Sequence, residues 1–106
     1  MGKSLRRELS SRLRVLLQHL LKCQYQPENK SGIWLGTITE QRSEIASLLE
    51  QNPSLEREVA HRAQRSYSGA LHGASVETGL PESTFPSDSP YTGGTIIRPA
   101  LFPLIR

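Results

Sequence analysis

The chain has 106 residues, a net charge of +3, a single cysteine and 36% hydrophobic residues. That length allows one domain at most, the lone Cys23 excludes an intramolecular disulfide, and there is no run of about twenty apolar residues to cross a membrane. The charge is uneven: residues 1–30 hold Lys3, Arg6, Arg7, Arg12, Arg14, Lys22 and Lys30 against Glu8 and Glu28, which is +5 and leaves −2 for the rest. A basic half of this kind attracts nucleic acid or anionic lipid, or else pairs with acidic neighbours as a solvated polar face.

Leu5, Leu9, Leu13, Leu16, Leu17 and Leu20 recur at steps of four and three, which predicts one apolar stripe on a helix over 4–26. Ser4 is the expected N-cap, and Pro27 stops the helix because the residue before a proline is pushed out of the α region. At about 1.5 Å per residue the segment is roughly 30 Å long. Each leucine gains about 1.5–3 kcal/mol when fully buried, so the stripe demands cover. It reads as the central helix of a small bundle.

Glu28 to Ile33 forms a polar turn, and a second helix follows over 33–51, starting between Ser31 and Thr37. Ser31 can cap it, and Thr37 with Glu40 has the capping-box spacing. Trp34, Ile38, Ile45, Leu48 and Leu49 face inward, with Arg42, Glu44 and Glu50 outside. Asn52-Pro53 marks the next boundary, as N-cap and first helical residue of a third helix over 53–78. Glu56 and Glu58 suit its first turn, Glu58–Arg62 is a supportive i,i+4 pair, and Leu55, Val59, Ala63, Tyr67, Ala70, Leu71 and Ala74 face inward. Gly69 and Gly73 weaken the helix locally, although small residues suit a close approach, and Gly79 with Pro81 ends it.

The expected architecture is therefore all-α: a helical domain over 1–80, then an irregular Pro/Gly/Ser-rich segment over 81–106 pinned by Phe85 and Tyr91. One short turn is expected after Leu80. Thr95 to Arg106 is apolar but carries Pro99 and Pro103, so it reads as an extended arm or tail. Arg6, Arg7, Arg12 and Arg14 interrupt any signal-peptide core, and with the single cysteine they make the cytoplasm the expected compartment.

Three blocks, SRLRVLLQHLLKCQYQPE (11–28), ITEQRSEIASLLEQNPSL (38–55) and TGLPESTFPSDSPYT (78–92), resemble the bacterial "domain of unknown function 29" family over roughly residues 1–92. The resemblance implies an all-helical cytoplasmic domain with no assigned activity and no catalytic residues to carry over. It also implies further helical sequence ahead of Met1, a tryptophan where this chain has Cys23, and a different ending after Thr92. On that reading the chain starts late, and its first helix keeps an apolar strip that the following helices do not cover.

Few residues suggest chemistry. Arg14 and His19, with R-x4-H spacing, suit phosphate handling in a ribonuclease, since imidazole titrates near neutrality and Arg stabilises phosphate charge. Five helical residues turn roughly 140°, however, which puts the two on opposite flanks of the stripe. Arg65 and His72 lie on one flank but about 10 Å apart along the axis. His19, His61 and His72 lack a ligand pattern, so no metal is expected, and no cofactor fingerprint occurs. Cys23 falls on the apolar side, as a buried inert thiol.

The leading expectation is a non-enzymatic module that binds a protein partner, or a second copy as a homo-oligomer, through Leu9, Leu13, Leu16, Leu17 and Leu20. The alternative is nucleic-acid binding through a basic face of Arg6, Arg7, Arg12, Arg14 and Lys22. A ribonuclease with an Arg/His pair stands third.

Overall fold

The computed structural model describes residues 3–26 and 32–91. Among them, three α-helices account for most of the fold: α1 (Lys3–Tyr25), α2 (Gly32–Gln51) and α3 (Val59–Thr78). A 3-10 stretch, Pro53–Glu58, leads into α3, and a single 3-10 turn, Glu82–Thr84, follows it. The all-α bundle expected from the leucine spacing is the fold observed. Pro27, Ser31 and the segment from residue 92 onward lie outside the described residues.

Cross-helix pairs set the directions. Arg12 of α1 meets Gln41 and Glu44 of α2, while Lys22 lies over Trp34, so α2 runs antiparallel to α1. Arg6 meets Glu58, Ser10 meets Arg62 and Ser66, and Lys22 meets Glu77, so α3 runs parallel to α1. α1 is thus the middle element, with a partner on each flank.

The stripe of α1 is buried within one chain: Leu9, Leu13, Leu16, Leu17, Leu20 and Leu21 are each 0% exposed. This corrects the expectation of an uncovered strip. Ile38, Ile45, Leu48 and Leu49 close it from α2, and Val59, Ala63, Tyr67, Ala70 and Ala74 close it from α3. The alanines matter because a small side chain lets two helices approach closely enough to exclude water. Phe85 completes the cover, buried after the chain turns back, with its ring edge-on to Tyr25 at 5.2 Å between centroids. Tyr91 packs on the same core and donates its hydroxyl proton to Gln24 Oε1 at 2.8 Å. Cys23 is buried among these apolar groups.

Several local expectations need correction. Ser4 lies inside the first turn of α1 and does not cap it. Asn52 does not cap the next helix with its side chain; its amide donates backwards to the Leu48 carbonyl at 3.2 Å, closing the end of α2. Pro53 then opens the tighter 3-10 form, and the α-helix proper begins six residues later at Val59. Arg42, placed outside by hydropathy, is 8% exposed. Its long aliphatic stem lets it lie along the core, and burial lowers its pKa. Gly79 adopts a left-handed φ of 79° at the end of α3 and bonds back to Ser75, the C-terminal stop expected there. Ser75 donates to the Leu80 carbonyl at 2.6 Å and Tyr67 to the Pro86 carbonyl at 2.7 Å, which ties the following segment down.

Candidate functional site

The five basic residues of α1 singled out from sequence do not share one face. Lys22 is only 5% exposed, with its ammonium 2.5 Å from Glu77 Oε1 and 4.7 Å above the Trp34 ring. Packing against the indole and the carboxylate removes it from any solvent-facing surface, so its place in the basic face is corrected. Arg12 turns to the α2 flank, where Glu8, Gln41 and Glu44 surround its guanidinium. Arg14 is exposed beside Gly69 and donates to Gln18 at 3.4 Å.

Arg6 and Arg7 are brought somewhere new. The parallel packing of α1 and α3 lays them beside the start of α3, and together they line an open groove of about 580 Å³. Its walls are Arg6, Arg7 and Ser10 from α1 and His61, Arg62, Arg65 and Ser66 from α3. Sequence reading missed the α3 half, because His61 to Ser66 stand more than fifty positions from Arg6. The available signal was the run of Arg57, His61, Arg62 and Arg65, which places positive charge on successive turns of one helix.

Hydrogen bonds organise the groove. Glu58 receives Arg6 Nε on both carboxylate oxygens at 3.2 Å and Arg62 Nε on Oε1 at 2.8 Å. These bonds, that of Arg62 first, hold the Glu58 pKa below the usual carboxylate value. Arg62 Nη1 also donates to Ser10 Oγ at 3.3 Å, and Ser66 donates to the Ser10 carbonyl at 3.3 Å. Arg7, His61 and Arg65 are exposed and make no ion pair with the described residues. Among the described residues, four arginines against the one carboxylate they bond leave three positive charges at this groove. Guanidinium groups present planar donor forks and do not give up a proton at neutral pH, so the four arginines are chemically suited to an anion.

A second groove, of about 480 Å³, opens on the α2 flank and is lined by Ser4, Arg7, Glu8, Ser11, Arg12, Val15 and Gln41. There Glu8 and Glu44 balance Arg12, which leaves less net charge for a ligand.

The residues of the Arg/His pairs weighed for ribonuclease chemistry bond other partners. His19 is half-buried and donates from Nδ1 to the Val15 carbonyl at 2.9 Å. Burial lowers its pKa, as Lys22 does more weakly, against the opposing hydrogen bond. His72 bonds Glu82 at 2.9 Å, beyond the end of α3, while Arg65 faces the groove. Among the described residues no group of three or more His, Cys, Asp or Glu is placed to hold a metal ion, and no helix is long and apolar enough to cross a membrane.

Comparison with known proteins gives a family and no activity. Residues 1–102 match the family described as "Domain of unknown function DUF29", and the chain belongs to it. The match passes Thr92, so the stretch just beyond it departs less from the family than the resemblance implied. No curated protein and no solved structure matches the chain.

Proposed function

We propose that this DUF29 chain is a non-enzymatic binding module that holds the phosphate backbone of a nucleic acid in the groove between α1 and α3. One observation carries the reading: four arginines from two helices converge on a single open groove, and among the described residues the acid that pairs with them is Glu58. Guanidinium forks match phosphate oxygens, and the Ser10 and Ser66 hydroxyls add short donors and acceptors at the groove floor. Among the described residues no Trp, Tyr or Phe lines it, which favours contact led by the backbone and independent of sequence.

Binding through Leu9, Leu13, Leu16, Leu17 and Leu20, whether to a protein partner or to a second copy, is the weaker reading. All five side chains are sealed inside the bundle.

The test is fluorescence anisotropy with labelled oligonucleotides over a salt series. Neutralising about three phosphates gives a slope of log K against log salt of roughly −2 to −3. An Arg7→Ala/Arg65→Ala double variant is expected to lose most of the affinity while melting like the parent protein. No binding at ~20 mM salt, where such contacts are strongest, or full affinity in the double variant, rejects the proposal.

A further inference from the structure

We infer that Glu58 is an internal competitor for the groove's ligand: its carboxylate occupies Arg6 and Arg62 as a phosphate would, and a nucleic-acid strand binds fully only by displacing it. The inference rests on the groove reading above and concerns how that groove selects its occupant.

The geometry has two parts. Arg7, His61 and Arg65 are open to solvent, while Arg6 and Arg62 are turned onto one carboxylate from opposite helices. Glu58 closes the 3-10 stretch at the residue before α3, and its carboxylate is held by two arginines that line the groove. Arg6 Nε is shared between its two oxygens at equal distance, and Arg62 approaches one of them from the next turn. An anion thus already sits between the two helices, bound by the donors a phosphate would use. Glu58, Arg6 and Arg62 are all partly exposed, so an incoming strand can reach them.

An attached carboxylate has a high effective concentration, and a single dissolved carboxylate cannot compete with it. A phosphodiester strand carries closely spaced charges: some can engage Arg7, His61 and Arg65 first, and a neighbouring phosphate can then take Arg6 and Arg62. The groove therefore favours strands of phosphates over single dissolved anions.

Glu58 could instead be only a staple between α1 and α3, and the two roles predict opposite things. A staple removed lowers stability and leaves affinity alone or reduces it. A competitor removed raises affinity. The experiment compares the parent chain with Glu58→Gln, Glu58→Ser and Glu40→Gln, using anisotropy of a short labelled single-stranded oligonucleotide. Glu58 makes no side-chain capping bond to α3, so Glu58→Ser removes the charge without removing a cap. Glu40→Gln makes the same charge change at an exposed α2 position.

Both Glu58 variants are expected to bind on the order of tenfold more tightly at ~50 mM salt, the value of about one more neutralised phosphate, with a salt slope steeper by about one. Glu40→Gln is expected to stay within about twofold of the parent, as a distant screened charge should. Folded Glu58 variants that bind no more tightly than Glu40→Gln overturn the inference and leave the groove reading intact, provided Arg7→Ala/Arg65→Ala still abolishes binding. Absence of binding by the parent and by all three variants overturns both. Free acetate that displaces the oligonucleotide more than chloride does at equal ionic strength also overturns the selectivity.

Discussion

At one end of the seam between α1 and α3, Lys22 meets Glu77; at the other, Arg6 and Arg62 meet Glu58. Both contacts join the same two helices through an acid and a base. The Lys22 end is sealed on its basic side: the ammonium is almost wholly buried, lies over the Trp34 ring and rests on the half-exposed Glu77 carboxylate, whose pKa it lowers. Gln26 donates to the Thr78 carbonyl nearby, and Phe85 against Tyr25 closes the same end. The Arg6 end is wet, spread over three side chains, and faces an open groove. Burial decides what each pair can do. A charge taken out of water needs its partner, whereas a solvated pair gains little from one particular partner and can exchange it.

The sharpest way to break this contrast is to remove one acid from each end. Glu77→Ala strands a buried ammonium and is expected to cost about 2–3 kcal/mol in urea unfolding, whereas Glu58→Gln should shift the midpoint much less. Equal losses would abolish the distinction. Tyr67→Phe deletes the hydroxyl that bonds Pro86 and should cost about 1 kcal/mol, loosening the segment that caps the sealed end without altering oligonucleotide affinity. That hydroxyl is buried, and its pKa is pushed up to about 12 by desolvation first and by Tyr25 and Asp88 after it.

Acid should also reach the two ends differently. His19 lies beside the sealed pair with its pKa held below 6.5, so the fold prefers its neutral form. Its contribution to stability is complete above pH 6.5 and drains away as pH falls through its lower folded value. Glu77 and Glu58, with pKa values depressed below 4.5, add a further loss only below that pH. Melting temperatures should therefore fall in two stages, and His19→Gln should flatten the first and spare the second. The smallest effect concerns the middle of the seam. Gly69→Ala places a methyl 3.2 Å from the flexible Arg14 Cδ, which can shift, so helix propensity should win by about 0.5 kcal/mol. Gly73→Ala meets the Gln18 side chain, with Cδ at 2.6 Å, and should gain less because that amide must move away. Two thermal melts compare them.

Apolar spacing made the bundle legible before any coordinates: the six leucines Leu5 to Leu20, the inward face of α3 and the glycine stop at Gly79 all follow from local chemistry. The groove did not, since its walls meet only when two helices far apart in sequence run side by side. Lys22 and Arg42 were misplaced for a related reason. Hydropathy assigns a whole side chain to one side, but a long aliphatic stem can lie in the core while its charged end finds a partner there. The cover of α1 was underestimated because three alanines look like weak core residues, yet Ala63, Ala70 and Ala74 let α3 settle close. Phe85 then pins the segment after α3 to the core, the anchor its size had suggested.

The shared direction of α1 and α3 has an electrical consequence. Peptide dipoles add along each helix to about half a positive charge at its start and half a negative charge at its end. With two helices parallel and one opposed, the sum leaves one helix uncompensated, its positive pole at the groove end and its negative pole beside Lys22. The arginines reinforce the first pole, whereas at the second the charge of Lys22 is matched by Glu77. A molecule polarised in this way turns in the field of an approaching polyanion, presenting the arginine end before any atoms touch. Encounters would then be oriented by long-range attraction, at rates that fall as added salt shortens its reach.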